Sequence, residues 1–133
     1  MKDFKLRIVT PDGEIFSGKA ISVLLHTTDG DAEFLSGHTD YFASLGTGRA
    51  RIIDADKNVI LGAASGGFVS VKGGEVTAAI TTFEFKDKID VERARGAKEK
   101  AEAALRDAKT DMEISVAKAK ILRAINRINV ANG

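Results

Sequence analysis

The chain has 133 residues, 44% of them hydrophobic and 29% charged, with two histidines, no cysteine and a net charge of +1. That size suits one ordinary domain or a small one with an appendage, and the near-neutral balance argues against a dedicated nucleic-acid binder. The lack of cysteine rules out a disulfide framework and leaves a structural zinc site without its usual ligands; with neither a signal peptide nor a long apolar run, export and membrane insertion are not expected.

In chain order, Phe4-Lys5-Leu6-Arg7-Ile8 alternates apolar and polar, the period of a half-buried strand. Pro11-Asp12-Gly13 is turn chemistry, and Glu14–Phe16 resumes extended structure. Ile21–Thr27 predicts another strand, closed by Asp29-Gly30-Asp31. A long connection follows from Gly30 to Leu45, mixing acids with Phe34, Leu35, Tyr41 and Phe42, a composition typical of contact surface. Arg49–Ile53 and Val59–Ala63 flank Asp54–Lys57 as a hairpin, and Phe68–Val71 and Val76–Ile80 flank Lys72-Gly73-Gly74 as a second. Gly66-Gly67 reads as a bulge or a close backbone approach rather than a phosphate loop, because no GK[ST] follows. Short strands with frequent turns predict an antiparallel sandwich or barrel able to fold alone.

At Phe85–Lys88 the chain changes character. Residues 1–84 carry 8 Lys/Arg against 11 Asp/Glu, a balance of −3; residues 85–133 carry 12 against 8, a balance of +4. From Ile89 onward the pattern is helical. Ala94, Ala97, Ala101, Ala104 and Ala108 form one stripe, and Ile114, Ala117, Ile121, Ala124 and Ile128 repeat its spacing. Asp90 is a good N-cap, Ile89 is placed to staple against Ala94, and Thr110-Asp111-Met112-Glu113 spells a capping box. The short connection predicts an antiparallel two-helix hairpin turning near 106–111. Such a hairpin should be marginal. Each alanine buries little more than a methyl, worth roughly 0.8 kcal/mol, and Gly96 costs about 1 kcal/mol relative to alanine.

The turn brings Asp90, Arg93 and Lys100 towards Arg127, Arg123 and Lys120, and no acid follows Glu113. Two readings stand side by side. The cations are either a solvated face complementing a helix C-terminus, or a polyphosphate site in which arginine forks hold phosphate oxygens.

Four stretches in order resemble the epsilon subunit of F-type ATP synthases, called delta in mitochondria. Gly30-Asp31 through Gly37-His38 resembles the family's G-E-[LI]-G-[IL]-[LY]-P-G-H stretch, and Ser65–Val71 is similar to its S-G-G-F-[LV]-x-V strand. Ile89-Asp90-Val91-Glu92-Arg93-Ala94 resembles the [IL]-D-x-x-R-A motif of its nucleotide-binding members, and Arg123–Val130 their R-A-x-N-R-L-x-V ending. The resemblance implies a β plus α fold: an antiparallel β-sandwich of about ten strands over 1–84, a linker at 85–88 and a regulatory helical hairpin over 89–133. It further implies a non-catalytic subunit of the central stalk, on the cytoplasmic face of the cell membrane, that couples ion transport to ATP synthesis. Its partners would be the gamma subunit, the ring of c subunits and the alpha/beta catalytic head.

No cofactor is obligatory in that family, but some members bind regulatory ATP, alone or with magnesium, which favours the folded hairpin. Their ligands match Glu84, Ile89, Asp90, Arg93, Ala94, Arg123 and Arg127, and Lys100 stands where they often carry arginine. Asp31 matches an acidic position at the ring contact, and His38 lies in the segment facing gamma. Glu33 replaces a usual glycine, and Ser36 and Asp40 usual prolines, so a looser and more acidic loop is expected. Two alternatives compete: a free-standing sandwich that binds a ligand and dimerises through its helical tail, and an enzyme built on His38 and Asp40, which no nucleophile motif or acid pair accompanies.

Overall fold

The computed structural model describes residues 2–133, which divide into two units, 2–85 and 86–133. The first unit holds seven strands among the described residues: β1 Phe4–Thr10, β2 Gly13–Thr27, β3 Gly30–Leu35, β4 Tyr41–Ser44, β5 Thr47–Asp54, β6 Val59–Lys72 and β7 Glu75–Phe85. They form one sheet in the order β1-β7-β6-β5-β2-β3, with β4 along β6. Strand β2 is long enough to pair twice. Its first half runs against β1, and its second half lies between β5 and β3. The sheet therefore folds back on itself as a sandwich, and both inner faces contribute to one core. Leu6, Ile8, Val23, Leu25, Phe34, Ile52, Val69 and Ile80 are all buried in it.

Three expectations change here. The strands number seven rather than about ten, because β2 and β6 each run unbroken through what the sequence divides into two runs. The sheet is mixed, since β1 and β7 pair in parallel from Leu6↔Val76 to Val9↔Ala79. The connection after Thr27 is not a loose loop. It contains β3 and β4, and two of the three residues expected to loosen it are bonded: Glu33 accepts from Ser22 Oγ at 3.1 Å and pairs with Arg51, while Asp40 Oδ1 accepts from the Gly73 amide at 3.0 Å. Thus Asp40 ties the segment after β3 to the β6–β7 turn.

The Asp54–Lys57 hairpin turn is held by one carboxylate. Asp54 accepts from the Asn58 side chain at 3.1 Å and from the Asn58 and Asp56 amides, both at 2.9 Å. The bonds from Asn58, side chain first and then backbone, hold the Asp54 carboxyl below its ordinary value. A depressed carboxylate stabilises the fold above its unfolded-state value, and the contribution is lost as pH falls through the lower folded-state value. Asn58→Ala is expected to move the Asp54 titration, followed by carboxyl carbon NMR, back up towards the ordinary range. An unchanged curve would mean that the side-chain bond from Asn58 does not set it.

In the second unit a 3-10 turn, Lys86–Lys88, leads into α1 Val91–Asp107 and α2 Asp111–Asn132. Asp90 caps α1, its carboxylate accepting from the Arg93 amide at 3.1 Å. Thr110 caps α2 by accepting from the Glu113 amide at 3.1 Å. Glu113 reaches past the cap to the Lys109 amide at 3.3 Å, so the box closes one residue early. Both helices start at caps readable in the sequence and the pair is antiparallel as expected, but Ala108, expected on the α1 stripe, is instead the extended residue that ends α1.

Candidate functional site

The two helices meet along small residues. Ala94 and Ala101 of α1 and Ala117, Ala124 and Val130 of α2 are buried, a spacing of seven within each alanine pair. Ala97 and Ala104, which share the predicted stripe, are exposed. They floor a groove of about 320 Å³ with Ala101, and its walls are Lys100, Lys120, Arg123 and Arg127. The expected stripe thus splits into a packed seam and a groove floor. Small side chains let the helices approach closely, while the long cations beside them stand up from the surface.

Of the residues expected to hold nucleotide, Lys100, Arg123 and Arg127 share this groove, and Lys120 joins them. The lining contains no acid. Ala94 is buried in the seam, Asp90 spends one carboxylate oxygen on the helix cap, and Arg93 is exposed on the first turn of α1. Ile89 is half-buried, its amide donating to Lys86 O at 3.3 Å. Lys86 in turn donates to the Gly133 carbonyl at 2.9 Å, which ties the 3-10 turn to the end of α2. Glu84 belongs to the other unit, on β7 opposite Ala63.

The chemistry of the groove suits a polyphosphate. Four cations face one cavity, two of them arginines at i, i+4 that present planar forks on neighbouring turns. Its volume sits at the lower end of the roughly 300–1,000 Å³ typical of small-molecule pockets.

Elsewhere, Asp31 does not stand alone. Its Oδ1 lies 2.8 Å from Nδ1 of His26, a partner that sequence reasoning left inside a strand. His26 rests on Gly46 and Gly48; a β-carbon would collide with it at Gly48 and press on its ring at Gly46. His38 donates to, or shares a proton with, no acid: its Nδ1 lies 2.7 Å from the Thr39 carbonyl, and its ring packs 5.0 Å from Phe34 and 5.8 Å from Tyr41. Asp40 Oδ1 is taken up by the Gly73 amide, so the expected pairing of His38 with Asp40 does not form. Sequence reasoning also missed the pairing of Phe42 with Phe68, stacked with centroids 5.4 Å apart and with Phe42 65% exposed. Their alternation along β4 and β6 was the available signal. Beside Phe68 lies an apolar groove of about 490 Å³ formed with Val9, Pro11 and Ala79.

No helix of the described residues is long and apolar enough to cross a membrane. Residues 3–86 match the family model for the ATP synthase delta/epsilon chain beta-sandwich domain, and residues 87–132 match the one for its long alpha-helix domain. The ATP synthase epsilon chain of Halalkalibacterium halodurans is 38% identical over 132 residues, covering 98% of both chains. That of Bacillus velezensis is 37% identical over 131 residues, again with 98% of each covered. In fold, the chain is similar to one in the Euglena gracilis mitochondrial ATP synthase, with a TM-score of 0.86, 20% identity, and 98% of this chain and 82% of that one covered. Two domain models in the right order and full-length relatives agree with the two units of the structure, and the chain belongs to the ATP synthase delta/epsilon family, as an epsilon-type chain.

Proposed function

We propose that this epsilon-type subunit of an ATP synthase senses ATP through its helical hairpin. Its role is coupling and regulation rather than catalysis. The observation that carries the proposal is the groove in which Lys100, Lys120, Arg123 and Arg127 converge without an acid in the lining. ATP bound there joins α1 to α2 through its phosphates, with Arg93, Asp90, Ile89 and Ala94 completing the part of the hairpin that the family resemblance assigns. The mechanism is a population shift. A hairpin seamed by alanines gains little from packing, so a ligand that binds only the closed form decides the balance. At 100 times its dissociation constant such a ligand adds roughly 2.7 kcal/mol.

In the complex, the sandwich unit faces gamma and the c-ring, and the hairpin, when open, reaches the catalytic head. The subunit thereby sits on the cytoplasmic face of the membrane without entering it. Support for a docking role comes from the exposed Phe42–Phe68 stack and the adjoining apolar groove, which form more contiguous apolar surface than isolated exposed residues supply. Asp31 and His38 are assigned to the same role.

Calorimetric titration of the full chain with ATP at up to millimolar concentration tests the sensing claim. A saturable isotherm is expected, weaker with ADP, and weakened several-fold by Arg127→Ala. No saturable heat with ATP removes the nucleotide from this account, and an isotherm unmoved by Arg127→Ala removes the groove.

A further inference from the structure

We infer that Gly96 makes the turn Gly96–Lys100 of α1 a separately opening segment, and that an anion in the basic groove closes it. The second half rests on the proposed nucleotide reading; the first stands without it. Helix α1 has two buried residues, Ala94 and Ala101, and in the gap between them only Lys98 is partly buried; α2 has the same interval between Ala117 and Ala124, so what sets the α1 stretch apart is its glycine. Before the gap the helix is pinned by the Asp90 cap and by the Glu92–Arg95 pair at 2.7 Å. After it, Ala101 returns to the seam. Gly96 falls inside the gap, exposed, and a β-carbon there would meet nothing within 4 Å. No close approach therefore calls for glycine, and its effect is on the backbone, which gains more freedom on opening than at any other residue.

The same turn carries Ala97 and Lys100 into the groove opposite Lys120, Arg123 and Arg127. An anion gripped from both helices needs Lys100 in its helical place. Binding and ordering of this turn are then one event, so part of the binding free energy is spent on closing it.

Native-state amide exchange on the full chain, read by NMR, tests both halves. Without nucleotide, Gly96→Ala is expected to slow exchange of the Ala97–Ala101 amides about five-fold, the factor separating glycine from alanine in a helix, while the Ala117–Ala124 amides stay at wild-type rates. Ala119→Gly, which places the same penalty on the exposed face of α2, should speed α2 amides and leave Ala97–Ala101 alone. Equal slowing of both helices by Gly96→Ala means that the hairpin opens as one body and overturns the separate segment, as does no slowing at all. In the wild type, ATP should slow the Ala97–Ala101 amides most. If ATP binds by calorimetry yet protects both helices equally, the coupling is wrong while the nucleotide site stands. If ATP does not bind, the coupling falls with the nucleotide reading, and the Gly96→Ala exchange result still decides the segment.

Discussion

Gly67→Ala is expected to destabilise the sandwich by roughly 3–5 kcal/mol, read as a fall in the urea midpoint of the full chain with an unchanged slope. Two costs add. Gly67 has φ +102, a conformation that L-residues rarely adopt, and a β-carbon there would overlap the carbonyl oxygen of Ala79 on β7. That oxygen belongs to backbone within a paired strand, so it cannot swing aside as a flexible side chain would. The Gly67 carbonyl is also committed, accepting from the Leu45 amide at 2.8 Å, which holds the chain just after β4. Gly74→Ala supplies the comparison. Its φ is +80 but a β-carbon meets nothing within 4 Å, so only the backbone cost of about 1–2 kcal/mol applies. A loss at Gly67 no greater than at Gly74 would mean that the β6–β7 backbones are not in the close approach described, and the bulge would have to be redrawn.

What could be read from the sequence divides along physical lines. Local chemistry was legible. Asp90 and Thr110 cap helices because a side-chain oxygen satisfies an orphan amide nearby, and the two hairpin turns at Asp54–Lys57 and Lys72–Gly74 follow from residues that favour turns. The groove was legible for the same reason, since Arg123 and Arg127 at i, i+4 must share a helix face and a short turn must bring Lys100 back across from them. Non-local pairing was not. Nothing in Leu6–Val9 announces that its parallel neighbour is Val76–Ala79, some seventy residues away, because parallel pairing leaves no turn signature. Strand β3 was hidden differently. Asp31 and Glu33 alternate with Ala32 and Phe34, but the acids sit on the outer face, where Asp31 lies within hydrogen-bond distance of His26 and Glu33 pairs with Arg51, and two acids in six residues look like loop until those partners are in place.

The alanine stripe shows a third limit. Spacing alone assigned Ala97 and Ala104 to the same face as Ala94 and Ala101, and they are neighbours on it. Whether such a residue is sealed or left open depends on what the opposite helix presents. Opposite Ala97 and Ala104 stand lysine and arginine, whose charged ends stay in solvent, so the face opens into a groove instead of closing into a seam.

That contrast yields the other large effect, since the groove can be destroyed without disturbing the seam. The double variant Lys100→Glu/Arg123→Glu is expected to weaken ATP binding at least about 100-fold. Each charge-assisted bond to phosphate contributes about 1.5–3 kcal/mol, exposed sites fall at the low end, and the new carboxylates repel the ligand as well. Two lost bonds at about 1.4 kcal/mol per tenfold already reach that factor. Neither position is buried, and the substituted acids lie beside Lys120 and Arg127. Folding should therefore change by no more than about 1 kcal/mol, with the helical circular-dichroism signal intact. A site made of charge also predicts that wild-type ATP affinity falls as salt rises, because the screening length shrinks to about 8 Å at 0.15 M and about 3 Å at 1 M. If the variant binds ATP as tightly as wild type, the cations are only a solvated face, the bland reading of their spacing. If it loses its helices instead, the seam depends on the groove walls, and the separation of packing from ligand binding in this hairpin is wrong.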